Sequence, residues 1–284
     1  DIADSFDYKN KYAIIEYLID IIEGEYFLPI ILTHNFDFYR TLACRANIKK
    51  SSHFIVPKSD DIEIKKGEYF EDVFEFWKEH IYESKEIFIS SIALARNLIQ
   101  YKYGQESTYY KTLTNLLHYK KNASGGIEGT EALLLLDVFG IFTEVLDTTK
   151  KDFSFDPMTS AYIFITETAE TITSFSDPCK LENKILLAIA IRLKTDKYMI
   201  QRINNDVITD AISGNQTRIL RQITPFLKDD PADARRIEII DRVLIISSEN
   251  IHLNSFMYEP IIDLSLDELI KLYSDVSHEL IWKD

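Results

Sequence analysis

Glycine and proline are scarce in this chain, with 8 and 7 copies among 284 residues. Tight turns draw heavily on those two residues, so a fold of many short strands is disfavoured and long helices are expected. Cysteine is scarcer still. Cys44 and Cys179 stand far apart with no C-x-x-C pattern. Two lone thiols argue against a disulfide framework and suit a reducing, cytoplasmic compartment; with no base nearby in sequence, both are expected to be buried apolar residues. No stretch reaches the roughly 18 apolar residues that a membrane-spanning helix needs, and no secretory leader is expected from the patterning of these residues. The best membrane candidate, Leu133 to Phe142, is short and contains Asp137, so it reads as core. Positive charge is in deficit, with 32 Lys and Arg against 46 Asp and Glu and a net charge of −14. Most of such a surface repels a phosphate backbone, which argues against direct nucleic-acid binding outside local basic patches such as Lys49-Lys50.

What is present is apolar periodicity. Ile14, Ile15, Leu18, Ile21 and Ile22 predict a helix from Asp7 to Gly24. The run Leu28-Pro29-Ile30-Ile31-Leu32-Thr33 predicts a buried parallel strand, because such a strand is covered on both faces. Asn35 then caps a helix to about Ala46. Residues 49–67 read as an extended connector, either a small hairpin or two edge strands. From Tyr69 onward the spacing turns helical through Tyr119, with a loop from Lys120 to Gly129. Asp177-Pro178, Asp230-Pro231 and the capping box from Ser265 to Glu268 mark three later helix starts. Between the first two lies a long helix, Leu181 to Ile203, whose middle is apolar all round and therefore central. The expected fold is mainly α: a small α/β unit over residues 1–48, the connector over 49–67, and a large helical domain over 68–284.

Two short elements carry chemistry. The chain opens Asp1-Ile2-Ala3-Asp4-Ser5-Phe6-Asp7, and after the first helix the apolar run ends in Thr33-His34-Asn35. In this order they resemble the C-terminal part of the core of ABC-type ATPases, from the junction of Walker B and the D-loop through the H-loop. The likeness is to a branch of bacterial proteins related to phage defence and DNA repair. The resemblance implies that Asp1 is the catalytic acid, that Asp4, Ser5 and Asp7 form the D-loop facing a sandwiched nucleotide, and that His34 touches the γ-phosphate. ATP and Mg2+ would be the cofactors of the intact parent. The rest of the ATPase core and a second ATPase subunit would be its partners, and a weak homodimer of the remnant is a further expectation. Residue types fit the chemistry, since γ-phosphate hydrolysis needs a positioned water and neutralised charge.

The departures are as informative. No G-x-x-x-x-G-K-[ST] occurs, so the phosphate-cradling loop is missing. The Walker B strand and Q-loop are missing as well. The chain begins with Asp1 rather than Met, which predicts a processed, truncated or incomplete polypeptide. Ser124-Gly125-Gly126-Ile127-Glu128 imitates an ABC signature and Leu133 to Asp137 imitates Walker B, but both follow the H-loop in the wrong order. The six histidines show no metal-ligand spacing. Arg96-Asn97 resembles a pair found in some helical ribonucleases, but the histidine expected beside it is absent. The other function class that remains is a non-catalytic helical protein-interaction domain, in which the motif match is accidental or vestigial. Because most triphosphate affinity comes from backbone N–H groups and the lysine of the missing loop, the chain alone should show no saturable Mg-ATP binding in calorimetry. A micromolar dissociation constant would contradict this reading.

Overall fold

A computed structural model describes residues 8–24, 26–33, 36–49, 52–56, 62, 64–66, 73–146, 153–173, 176, 180–227, 229–247 and 264–282. The described part is mainly α. The chain divides into two compact units, Asp1–Phe76 and Trp77–Asp284, and α3 (Val73–His80) spans the division.

The first unit contains α1 (Tyr8–Glu23), α2 (Phe36–Arg45) and two short strands. Its core is Ile15 of α1 against Phe38 and Leu42 of α2, with Ile14, Leu18, Ile19 and Ile22 around them. That is one helical stripe meeting another. α2 stops at Asn47, which adopts a left-handed conformation (φ 47°). The Ile48 N–H reaches back to Ala43 O at 3.1 Å, so Asn47 fills the place usually taken by glycine after a helix. β1 (Phe54–Ile55) and β2 (Lys65–Lys66) pair antiparallel, Phe54 opposite Lys66. His53, buried just before β1, holds this connector to α2. Its Nε2 donates to Ile48 O at 3.2 Å, and the Tyr39 hydroxyl donates to its Nδ1 at 3.0 Å. Burial pushes the Tyr39 phenol up to about 12.

The strand expected at 28–33 does not form. Residues 27–33 have no regular structure, and Leu28, Ile30 and Leu32 are 99%, 88% and 85% exposed. A parallel strand needs ladder partners on its edges, and the described residues provide none. Cys44, expected to be buried, is exposed on α2.

The second unit is built around α8 (Leu181–Ile203). Every residue from Leu181 to Leu193 is buried, as the all-round apolar pattern requires. α4 (Lys85–Tyr103), α7 (Ala161–Glu170), α9 (Asp206–Asp210), α10 (Gln216–Ile223), α11 (Pro231–Ser247) and α12 (Leu266–Glu279) all pack on it. α5 (Thr108–Thr114) and α6 (Leu135–Val145) lie against α4. Phe88 of α4 centres an aromatic cluster with Phe142, Phe153, Phe155 and Phe164, ring centres 4.9–6.1 Å away. The Leu133 to Phe142 run is core, with Leu133, Leu135, Val138, Ile141 and Phe142 buried. No helix among the described residues is long and apolar enough to cross a membrane.

Capping explains most boundaries. Ser84 accepts the Ile87 N–H at the start of α4. Asp230 accepts the Ala232 N–H ahead of Pro231, as its position predicts. The Ser265 hydroxyl, expected to close a capping box, makes no side-chain cap bond, and only its carbonyl accepts from Leu269. The Asp177-Pro178 signal lies outside the described residues. α5 is shorter than expected because Leu116 and Leu117 donate to carbonyls three residues back, a tightening that turns the chain inward before His118.

Replacing Ile189, fully buried on α8, by Asp places an unpaired carboxylate in the core and costs several kcal/mol. Against a total stability of about 5–15 kcal/mol, Ile189→Asp should abolish the cooperative thermal transition. A variant melting at the wild-type midpoint would mean that α8 is not the core of this unit.

Candidate functional site

The residues that the ATPase resemblance singles out, Asp1, Asp4, Ser5, Asp7 and His34, lie outside the described residues. The described chain begins with α1, directly after Asp7, and α2 starts two residues beyond His34. The apolar run leading to His34 stands between them with Ile31 packed on their shared core.

The two look-alike segments have structural explanations. Gly125 and Gly126 take φ of 61° and 81° in a tight turn closed by the Ser124–Ile127 bridge, a conformation that favours glycine. Asp137 accepts the Leu134 N–H at 2.9 Å and so caps the start of α6. Gly129 is fixed by space, because a Cβ there would sit 2.5 Å from Lys121 O.

The strongest concentration of chemistry among the described residues is a buried polar cluster where α8 and α10 meet the connection between α5 and α6. Arg192 and Asp196 stand one turn apart on α8, on a face otherwise apolar. Gln216, the first residue of α10, donates from Nε2 to Asp196 Oδ2 at 2.9 Å and to Tyr119 O at 2.7 Å. His118 Nδ1 lies 3.9 Å from Asp196 Oδ2. Lys120 Nζ donates to Ile212 O at 2.9 Å, and Thr130 clamps the same connection by accepting the Lys120 N–H and donating to Asn115 O.

Asp196 is wholly buried, and its Oδ1 meets no donor in hydrogen-bonding geometry. Burial pushes its carboxyl up to about 6, against the opposing pull of Arg192, Thr217, Gln216 and Lys120. Burial likewise lowers the pKa of Arg192 and Lys120. A second wholly buried carboxylate behaves the other way. Asp233 of α11 accepts from Arg202 Nη1 at 2.8 Å, Arg236 Nη1 at 2.9 Å and the Leu227 N–H at 2.7 Å. Burial alone would raise it, but the Leu227 N–H and the two guanidinium groups outweigh that and hold it below the ordinary carboxylate range.

An open cleft of about 280 Å3 lies elsewhere, near the N-termini of α4 and α8, lined by Ser84, Glu86, Thr171, Ser176, Lys180 and Glu182. Glu86 is already engaged by the Ser84 hydroxyl at 2.7 Å. Arg96, singled out with Asn97 in the sequence, donates to Thr114 Oγ1 at 2.8 Å and to the Tyr110 hydroxyl, so it joins α4 to α5. Glu167 and Glu170 are both exposed on α7, and Glu170 pairs with Lys194 at 3.7 Å. No group of three or more His, Cys, Asp or Glu among the described residues is arranged to hold a metal. Sequence reasoning missed the Asp196 cluster. Its only local signal was charge at Arg192 and Asp196 within an apolar helix, and Gln216 enters from a distant segment.

The chain matches no family model, no curated protein and no solved structure.

The raised pKa of Asp196 has a definite sign. The folded state holds its proton more tightly than the unfolded state, where Asp titrates near ~3.9. Its contribution to stability is therefore full below about pH 4 and lost as pH rises through about 6. Asp196→Asn removes that titration. Relative to the parent protein, the variant's unfolding free energy should improve by on the order of 2 kcal/mol between pH 4 and pH 7, measured by urea denaturation at each pH. A stability difference that stays constant across this range would show that Asp196 keeps an ordinary pKa.

Proposed function

We propose that this chain is the C-terminal part of an ABC-type ATPase acting in phage defence or DNA maintenance. Its first residues would complete the nucleotide-hydrolysing core, and its helical body would be an appended domain. The observation that supports this is the order of helix, apolar segment ending at His34, and helix, with α1 and α2 packed on each other and on Ile31. Residues 27–33 have no regular structure here; paired with the rest of a core sheet, the segment would become the strand that carries His34 at its end. In this reading Asp1 orients the attacking water, Asp4, Ser5 and Asp7 face the second subunit, and His34 meets charge developing on the γ-phosphate.

The chain's own residues do not fit ATP and Mg2+ by themselves. The sequence has no phosphate-cradling loop, and the described residues hold no metal-binding cluster. Both cofactors would belong to the intact parent, with the rest of the core and a second subunit. A second reading, a non-catalytic helical interaction domain, draws support from the buried charges of the body. Asp196 and Asp233 are spent on joining α8 to α10 and α11.

Expressed together with the sequence encoded upstream of Asp1, the protein should hydrolyse ATP. His34→Ala should then lower kcat about tenfold or more while the melting midpoint stays unchanged. An unchanged rate would overturn the assignment of His34. An upstream sequence without a phosphate-binding loop would favour the interaction domain.

A further inference from the structure

Residues 26–32 carry the largest exposed apolar run among the described residues of the first unit. Tyr26 and Phe27 are exposed along with Leu28, Ile30 and Leu32, which are 85–99% open to solvent. From Ile30 to Thr33 exposure alternates, with Ile31 turned onto the α1–α2 core and its neighbours outward. This is the two-residue period of a strand. Yet no backbone hydrogen bond engages Phe27, Leu28, Ile30, Ile31 or Leu32 among the described residues. The segment offers both an apolar face and unpaired N–H and C=O groups, the combination that templates strand pairing.

Pro29 decides which edge can pair. In a strand, alternate residues direct their N–H and C=O groups to the same edge. Leu28, Ile30 and Leu32 therefore share one edge with all donors intact, and Pro29 removes a donor from the other. Proline is tolerated in a sheet where its edge stays unpaired. The segment is thus suited to one partner strand.

We propose that this partner is a second copy of the same segment, paired antiparallel about a two-fold axis at Ile30. In that register Ile30 of one copy lies opposite Ile30 of the other, and Leu28 lies opposite Leu32 twice. The same three side chains meet themselves on one face, as an isologous interface requires. The N–H groups of residues 28, 30 and 32 are the ladder donors, and both Pro29 residues fall on the outer edges. Pairing covers the shared backbone edge and the flanks of Leu28, Ile30 and Leu32 while their outer face stays in water, which removes on the order of 300 Å2 per copy. The total falls below the floor of about 1,000 Å2 for a specific interface, so the dimer is weak and rests mainly on its ladder hydrogen bonds. It does not rest on the ATPase reading. A core sheet offering a strand to the same edge would take the second copy's place.

Sedimentation velocity of the full chain from about 1 to about 200 µM should show a monomer passing to a dimer. Ile30→Pro, which deletes the central donor, should weaken the dimer about tenfold or more without moving the melting midpoint of the helical body. Amide exchange by NMR on the unaltered chain supplies a second readout. At high concentration Leu28, Ile30 and Leu32 should become protected, while Ile31 on the Pro29 edge stays fast. A chain monomeric throughout, a dimer indifferent to Ile30→Pro, or equal protection of Ile31 would overturn the proposal. None of these outcomes bears on the His34→Ala test.

Discussion

The second unit depends on surrounding one helix completely. α8 carries apolar groups on every side through its middle turns, and a surface position would leave part of that circumference in water. At about 25 cal/mol per Å2 of apolar area removed from water, wrapping it is strongly favourable. The other helices are placed by that requirement. α4, α7 and α12 close against it, and their Phe88, Phe164, Leu272 and Val276 are buried. α10 and α11 bring Leu220, Ile239, Ile240 and Val243, all buried.

Complete enclosure also captures charge, and the two captured aspartates show what decides the outcome. Asp233 receives four directional hydrogen bonds, three of them from guanidinium groups, and remains an anion held tightly in place. Asp196 receives one amide donor, a histidine at 3.9 Å and an unpaired second oxygen. Neither side chain touches solvent, but Asp196 lies deeper and has fewer donors. One carboxylate is a firm joint between α8 and α11, and the other is a joint whose charge state depends on its surroundings.

Helices were legible where a single local period governed them. The span of α8 was readable to the residue because its ends coincide with loss of periodicity and with Asn204 in a left-handed cap. Pro231 marked α11 because Asp230 acts on its nearest neighbours. The misreadings arose where distant partners decide. Leu28 to Thr33 has a strand's composition, but a strand exists only with a ladder beside it. Ser265 has the right spacing for a box its hydroxyl does not close. Cys44 was assigned by residue-type habit, although it lies on the outer side of α2. The Asp196 cluster joins residues from 118 to 217, and no window of sequence holds them together. The motif residues Asp1 to Asp7 and His34 were visible only as a resemblance.

Pro29 has a consequence for the fate of the exposed run. A short stretch rich in Leu and Ile, low in charge and open along its backbone is the kind of segment that stacks into fibrils, each added copy presenting a fresh edge to the next. Stacking needs two usable edges. With a donor missing from one of them, growth ends after the first pairing, so this proline acts as a gatekeeper against open-ended aggregation.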